Sequence, residues 1–163
     1  MSSSSSSPQS LQMLTILLDK VSTERDEAQT HLAECMKRAE AARTQASELS
    51  KYRTDYEQRW GRQFAQGGTM DIVNCYQNFS GKLEEAIVSQ GNMVGYSDQR
   101  VEMARTQLLA LEMRVAAIKK LIERRQAETQ RSQQRQEQKA TDEFAAHISR
   151  DAVQDSPLKR PLL

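Results

Sequence analysis

Aromatic residues make up only 5% of the 163-residue chain, which also holds just six glycines and three prolines. So few large rings and turn residues argue against an ordinary globular core and for long helices. No run approaches the ~20 apolar residues of a membrane-spanning helix, and the apolar stretch 13–18 has neither a basic flank before it nor a cleavage-like site after it. The chain is therefore expected to be cytoplasmic. An excess of one charge is missing too: 23 basic residues stand against 22 acidic ones. That balance provides no overall field to attract nucleic acid or anionic lipid.

Catalytic patterns are also missing. There is no glycine-rich phosphate loop and no Cys or His pair at metal-ligand spacing, and His31 and His147 stand far apart without a neighbouring nucleophile. The sequence reads as non-enzymatic, with no cofactor and no metal. Its many carboxylates are expected to form solvated faces.

What is present is organised around residues 66–71. Gly67 and Gly68 accept positive φ at little steric cost, and Asp71 favours a helix start just after them. This is the tip of a predicted hairpin, in which residues whose numbers sum to about 135 face each other across two antiparallel arms. Cys35 and Cys75 then lie about 32 and 7 residues from the tip, roughly 40 Å apart along the axis, which forbids a disulfide between them. Cys35 falls in the apolar seam, where it acts as a small hydrophobe.

Residues 1–10, mostly serine, are expected to be a disordered leader. Helix one is expected over 11–66. Leu11, Leu14, Leu18, Val21, Arg25, Ala28, Leu32, Cys35, Ala39, Ala42, Ala46, Leu49, Arg53, Tyr56 and Trp60 recur at alternating steps of three and four, and thirteen of these fifteen are apolar or aromatic. That is the pattern of a coiled-coil strand. Arg25 and Arg53 interrupt it, and the register predicts ion pairs to Glu112 and to Glu84 or Glu85.

After a turn over 67–70, helix two is expected over 71–150. Its seam runs Ile72, Tyr76, Phe79, Leu83, Ile87, Gln90, Val94, Ser97, Val101, Ala104, Leu108, Leu111, Val115, Ile118 and Ile122. Gly91 and Gly95 fall opposite the alanine-rich part of helix one, and close packing of small residues is expected there in preference to a flexible zone. The seam ends at Ile122, opposite the start of helix one's seam at Leu11, which favours an intramolecular antiparallel pair over a parallel dimer. Residues 123–150 then form an overhang rich in good helix formers, marginal without a partner. Phe144 and Ile148, one turn apart near its end, suit docking. Residues 151–163 are expected to be a disordered tail.

The most informative surface lies near the tip. Gln45, Leu49, Tyr52 and Tyr56 share one face of helix one, and Phe79, Leu83, Ala86 and Gln90 share one face of helix two. The register pairs them as Gln45 with Gln90, Leu49 with Ala86, Tyr52 with Leu83 and Tyr56 with Phe79. Some of these residues form core. Tyr52 lies off the strict seam, and the rings together with Trp60 are too bulky for two strands to cover, so an exposed patch for a partner is expected.

Tyr52-Arg53-Thr54-Asp55-Tyr56, Tyr76-Gln77-Asn78-Phe79, Leu83-Glu84-Glu85-Ala86-Ile87, Leu121-Ile122-Glu123-Arg124-Arg125-Gln126 and Asp142-Glu143-Phe144-Ala145 occur in order, and with them the chain resembles the FliJ family of flagellar export proteins. The resemblance covers roughly residues 11–150. It implies an all-α, two-helix antiparallel coiled coil similar to the central stalk of rotary ATPases, serving the type III protein export apparatus in flagellum biogenesis and motility. It also implies that the helix ends, here Leu11, Leu14, Arg124, Arg125, Phe144 and Ile148, enter the hexameric export ATPase FliI. The eight-residue tip patch would contact the export gate FlhA, with Gln90 standing where a histidine can occur. Export chaperones are further implied partners, and the membrane would be reached only through partners.

Three other readings remain at this point: a generic coiled-coil scaffold, the analogous stalk of an injection-type secretion system, and a clamp resembling prefoldin arms. A nucleic-acid-binding arm is disfavoured by the balanced charge.

Overall fold

The computed structural model describes residues 8–154, with side chains from 9 to 150. The fold is an all-α helical hairpin, two long helices packed against each other, with no strand among the described residues. Helix α1 spans Pro8–Ala65, 58 residues, and helix α2 spans Met70–Gln154, 85 residues. Pro8 opens α1, where its missing N–H costs nothing and its fixed φ suits a helix. The three residues 8–10, expected in the leader, thus belong to the helix. At the other end, residues 151–154 are helical where tail was expected. Residues 1–7 and 155–163 lie outside the described residues, and with them most of the expected leader and tail.

The turn keeps its expected length but sits one residue earlier, over 66–69, because α1 stops at Ala65 and Met70 is already helical. Gly67 has φ 103°, the left-handed conformation that ends a helix at least cost without a Cβ. Its N–H donates to the Phe64 carbonyl at 3.2 Å, and that of Gln66 to Gln63 at 3.1 Å, satisfying carbonyls left free at the helix end. Across the turn, the N–H groups of Ile72 and Val73 donate to the Thr69 carbonyl and start α2, with Asp71 in its positively polarised first turn.

The packing follows the seam. All fifteen seam positions of α1 are buried or half-buried, and so are all those of α2 except Phe79, which is 38% exposed. The chain divides into two compact units. In the unit Lys20–Arg114 the core centres on Cys35, Ala39, Val101 and Ala104, with Leu32 packed against them. Small side chains dominate it, so the helices gain stability there from close contact rather than from large apolar area.

Glycine does not contribute to that closeness. Gly91 and Gly95 lie one position past the seam residues Gln90 and Val94, on an outer flank, and a Cβ added to either would meet nothing within 4 Å. The expected packing of these glycines against alanine is therefore corrected: alanine, cysteine and valine make the close approach. A second correction concerns Arg25, which pairs with its neighbour Asp26 at 2.7 Å rather than with Glu112. Arg53 does reach across, to Glu84 at 3.1 Å.

The other unit joins the start of α1 to α2 from Val115 onward. Leu11, Leu14 and Leu18 are half-buried there, and Val115 and Ile118 are buried. Partial cover continues past Ile122 to Arg125 and Thr129, further than expected. From residue 130 to residue 150 every side chain is exposed, so the free part of α2 begins after Thr129.

Candidate partner-binding surfaces

Rings gather at the tip because α1 places Tyr52, Tyr56, Trp60 and Phe64 at successive steps of four, one above another on one face. Tyr76 and Phe79 meet them from α2. Tyr56 is the hub: its ring centroid lies 4.5 Å from Phe79, 5.6 Å from Tyr76, 5.9 Å from Trp60 and 6.3 Å from Tyr52. Phe64 closes the ladder against Trp60 and Tyr76, at 5.5 and 5.4 Å. A Cβ at Gly68 would come within 3.3 Å of the Phe64 ring, so the glycine leaves room for the ring beneath the turn. Sequence reasoning did not include Phe64, although its i, i+4 spacing from Trp60 was a usable signal.

Burial raises the pKa of Tyr56 above the ordinary phenol value, because ionising the hydroxyl would leave charge among rings. Half-buried and in contact with four rings, Tyr56 is mainly a packing residue. Tyr52, by contrast, is 51% exposed while its ring lies 6.2 Å from Phe79 edge-on. These two half-covered rings present apolar area on the surface.

The eight patch residues separate into two groups. Leu83 is buried, and Leu49, Tyr56 and Gln90 are half-buried, so these four hold the helices together. Gln45, Tyr52, Phe79 and Ala86 are exposed and form the accessible part. The register places Gln90 Nε2 3.2 Å from Gln45 Oε1.

The six residues chosen at the helix ends also separate. Leu11 and Leu14 lie half-buried in the seam and Arg125 is half-buried, whereas Arg124 is exposed. Phe144 and Ile148 are 69% and 56% exposed on the free part of α2. Their spacing of four puts both on one side of that helix.

Other chemistry is sparse among the described residues. No group of acidic, His or Cys side chains is placed to hold a metal ion, and no helix is long and apolar enough to cross a membrane. Both cysteines are free, with Cys35 buried 3.6 Å from His31 Nε2 and Cys75 exposed.

These features define a coiled-coil hairpin with an aromatic surface beside its turn and a helical extension of α2 that is unpaired among the described residues. The family model described as flagellar FliJ protein matches residues 10–153, and the chain belongs to that family. Its role accordingly lies in flagellar protein export. No curated protein and no solved structure matches the chain.

Proposed function

We propose that this chain is the non-enzymatic stalk of the flagellar type III export apparatus, coupling the export ATPase FliI to the export gate FlhA. The observation that carries this reading is the free part of α2. A solitary helix of this length is marginal in water, and Phe144 and Ile148 expose apolar area that a partner would cover. The axis of a hexameric ATPase ring is a suitable place for such a helix. ATP turnover belongs to the ring, and the stalk biases its subunits through differential contact alone.

Near the turn, Tyr52, Phe79, Ala86 and Gln45 offer the gate a surface of rings bordered by amides. Aromatic side chains supply large contact area at low entropic cost, which suits an anchor. Export chaperones are escorted by the same hairpin, and the membrane at the flagellar base is reached only through these partners.

The test is ATP hydrolysis by the purified export ATPase of the same organism, alone, with the full chain, and with a chain ending at Arg125. Stimulation by the full chain and its loss on truncation are expected. Absence of both binding and stimulation by the full chain would refute the stalk.

A further inference from the structure

The two flanks of the hairpin within Lys20–Arg114 differ. On one, cross-helix ion pairs join Arg43 to Asp98, both just past the seam, and the seam residue Arg53 to Glu84, just past it. On the other, residues just before the seam leave a groove that no ion pair crosses among the described residues. Its walls are Arg38, Ala41 and Gln45 from α1 and Met93, Tyr96 and Arg100 from α2, around a concavity of about 300 Å³ floored by Cys35 and Ala42. The groove continues past His31 and Met103 to Gln107, where Glu24 and Glu27 form its wall.

Two properties of this groove point to an occupant. The first is apolar spacing: Met93, Tyr96 and Met103 are 53%, 56% and 72% exposed and lie, with Arg100, at steps of three, four and three along α2. That is a second coiled-coil stripe that no other helix covers among the described residues. The second is charge order. Among the described residues Arg38 has no carboxylate partner, and Arg100 donates to the Tyr96 hydroxyl at 3.4 Å and lies over that ring at 5.8 Å without pairing to an acid, while Glu24 and Glu27 have no basic partner. The groove is therefore positive beside Ala41 and negative beside Gln107. The separation from Arg38 to Glu27 is about 11 residues, or roughly 16 Å.

We propose that this groove is a docking site for an amphipathic helix of a partner protein, completing a three-helix coiled coil over this part of the hairpin. The partner helix carries apolar residues at alternating three- and four-residue steps, with carboxylates that meet Arg38 and Arg100 and basic residues about 11 positions away that meet Glu24 and Glu27. Its Met-rich wall adapts to the apolar side chains it receives. Gln45 belongs to both this groove and the tip surface, so one partner can run from one to the other. The inference stands independently of the stalk reading, because it rests on the groove's shape and charges.

The probe is a synthetic helical peptide of about 21 residues, with leucines at the 3-4 spacing and two glutamates set about 11 positions from two lysines. A control peptide exchanges the glutamates and lysines. With the full chain labelled at its methionine methyl groups, the probe is expected to shift Met93 and Met103 and to leave Met13 and Met70 unmoved. Ala41→Glu, an exposed position where the helix tolerates glutamate, is expected to weaken binding roughly tenfold or more, and Arg38→Glu with Arg100→Glu is expected to transfer preference to the control peptide. Equal affinity for the two peptides, shifts at Met13 or Met70 instead, or no binding would overturn the proposal. Self-association of the chain that Ala41→Glu abolishes would also overturn it, by assigning the groove to a second copy.

Discussion

Gln90 donates its side-chain amide across the hairpin to Gln45 Oε1 at 3.2 Å and to the Ala42 carbonyl at 3.0 Å. A polar side chain at a seam position sacrifices apolar burial but accepts few alternative alignments, so it specifies register. Gln90→Ala is expected to lower unfolding free energy by about 1 kcal/mol, measured by chemical denaturation. An increase would mean that the amide costs more than its bonds return.

The open surroundings of Gly91 and Gly95 give a prediction of opposite sign. Both sit inside α2 with free space where a methyl group would go. Each change to alanine is expected to stabilise the protein by about 1 kcal/mol through helix propensity alone. Gly67→Ala should do the reverse, by roughly 1 kcal/mol, because the left-handed turn strains an L side chain. Thermal unfolding of the three single variants decides both signs.

Tyr56 and Tyr52 should behave differently although they are neighbours on one face. Removing the Tyr56 ring by Tyr56→Ala is expected to cost about 2–3 kcal/mol, while Tyr52→Ala stays near 0.5 kcal/mol or below. The raised pKa of Tyr56 adds a pH dependence. The folded state holds this proton more tightly than the unfolded chain does. Its contribution is therefore fully present below the ordinary tyrosine pKa of about 10, and it is lost as pH rises through the higher folded value. Tyr56→Phe should make the alkaline fall in stability shallower.

These contrasts also mark what was legible in the sequence. The 3-4 repeat announced the seam because helix periodicity and burial are one signal, and Arg53 with Glu84 followed from the register. The repeat says less about neighbours of the seam. It set Gly91 and Gly95 opposite alanine by number, although one position past the seam is a rotation of about 100° toward the outer flank. It likewise gave Arg25 a partner across the hairpin when Asp26, next in sequence, was nearer. The exposed stripe of Met93, Tyr96 and Met103 was hidden because it runs parallel to a stronger stripe one residue away. Phe64 was overlooked for a different reason: it lies beyond the last regular seam position, one turn of α1 past Trp60, and the turn at Gly67 and Gly68 is what brings Tyr76 against it.

The fully exposed side chains from residue 130 to residue 150 predict that this segment contributes little to the rest of the fold. A chain ending at Thr129 is expected to unfold within about 0.5 kcal/mol of the full chain. A larger loss would show that the extension packs on the hairpin.

The central claim, that the free end of α2 serves the ATPase while the rings near the turn serve another partner, is tested most directly by ATP hydrolysis with point variants. Phe144→Ser with Ile148→Ser is expected to abolish stimulation of the export ATPase, and Tyr52→Ala with Phe79→Ala to leave it intact. Equal stimulation by both double variants, or loss only with the tip variant, would contradict the account.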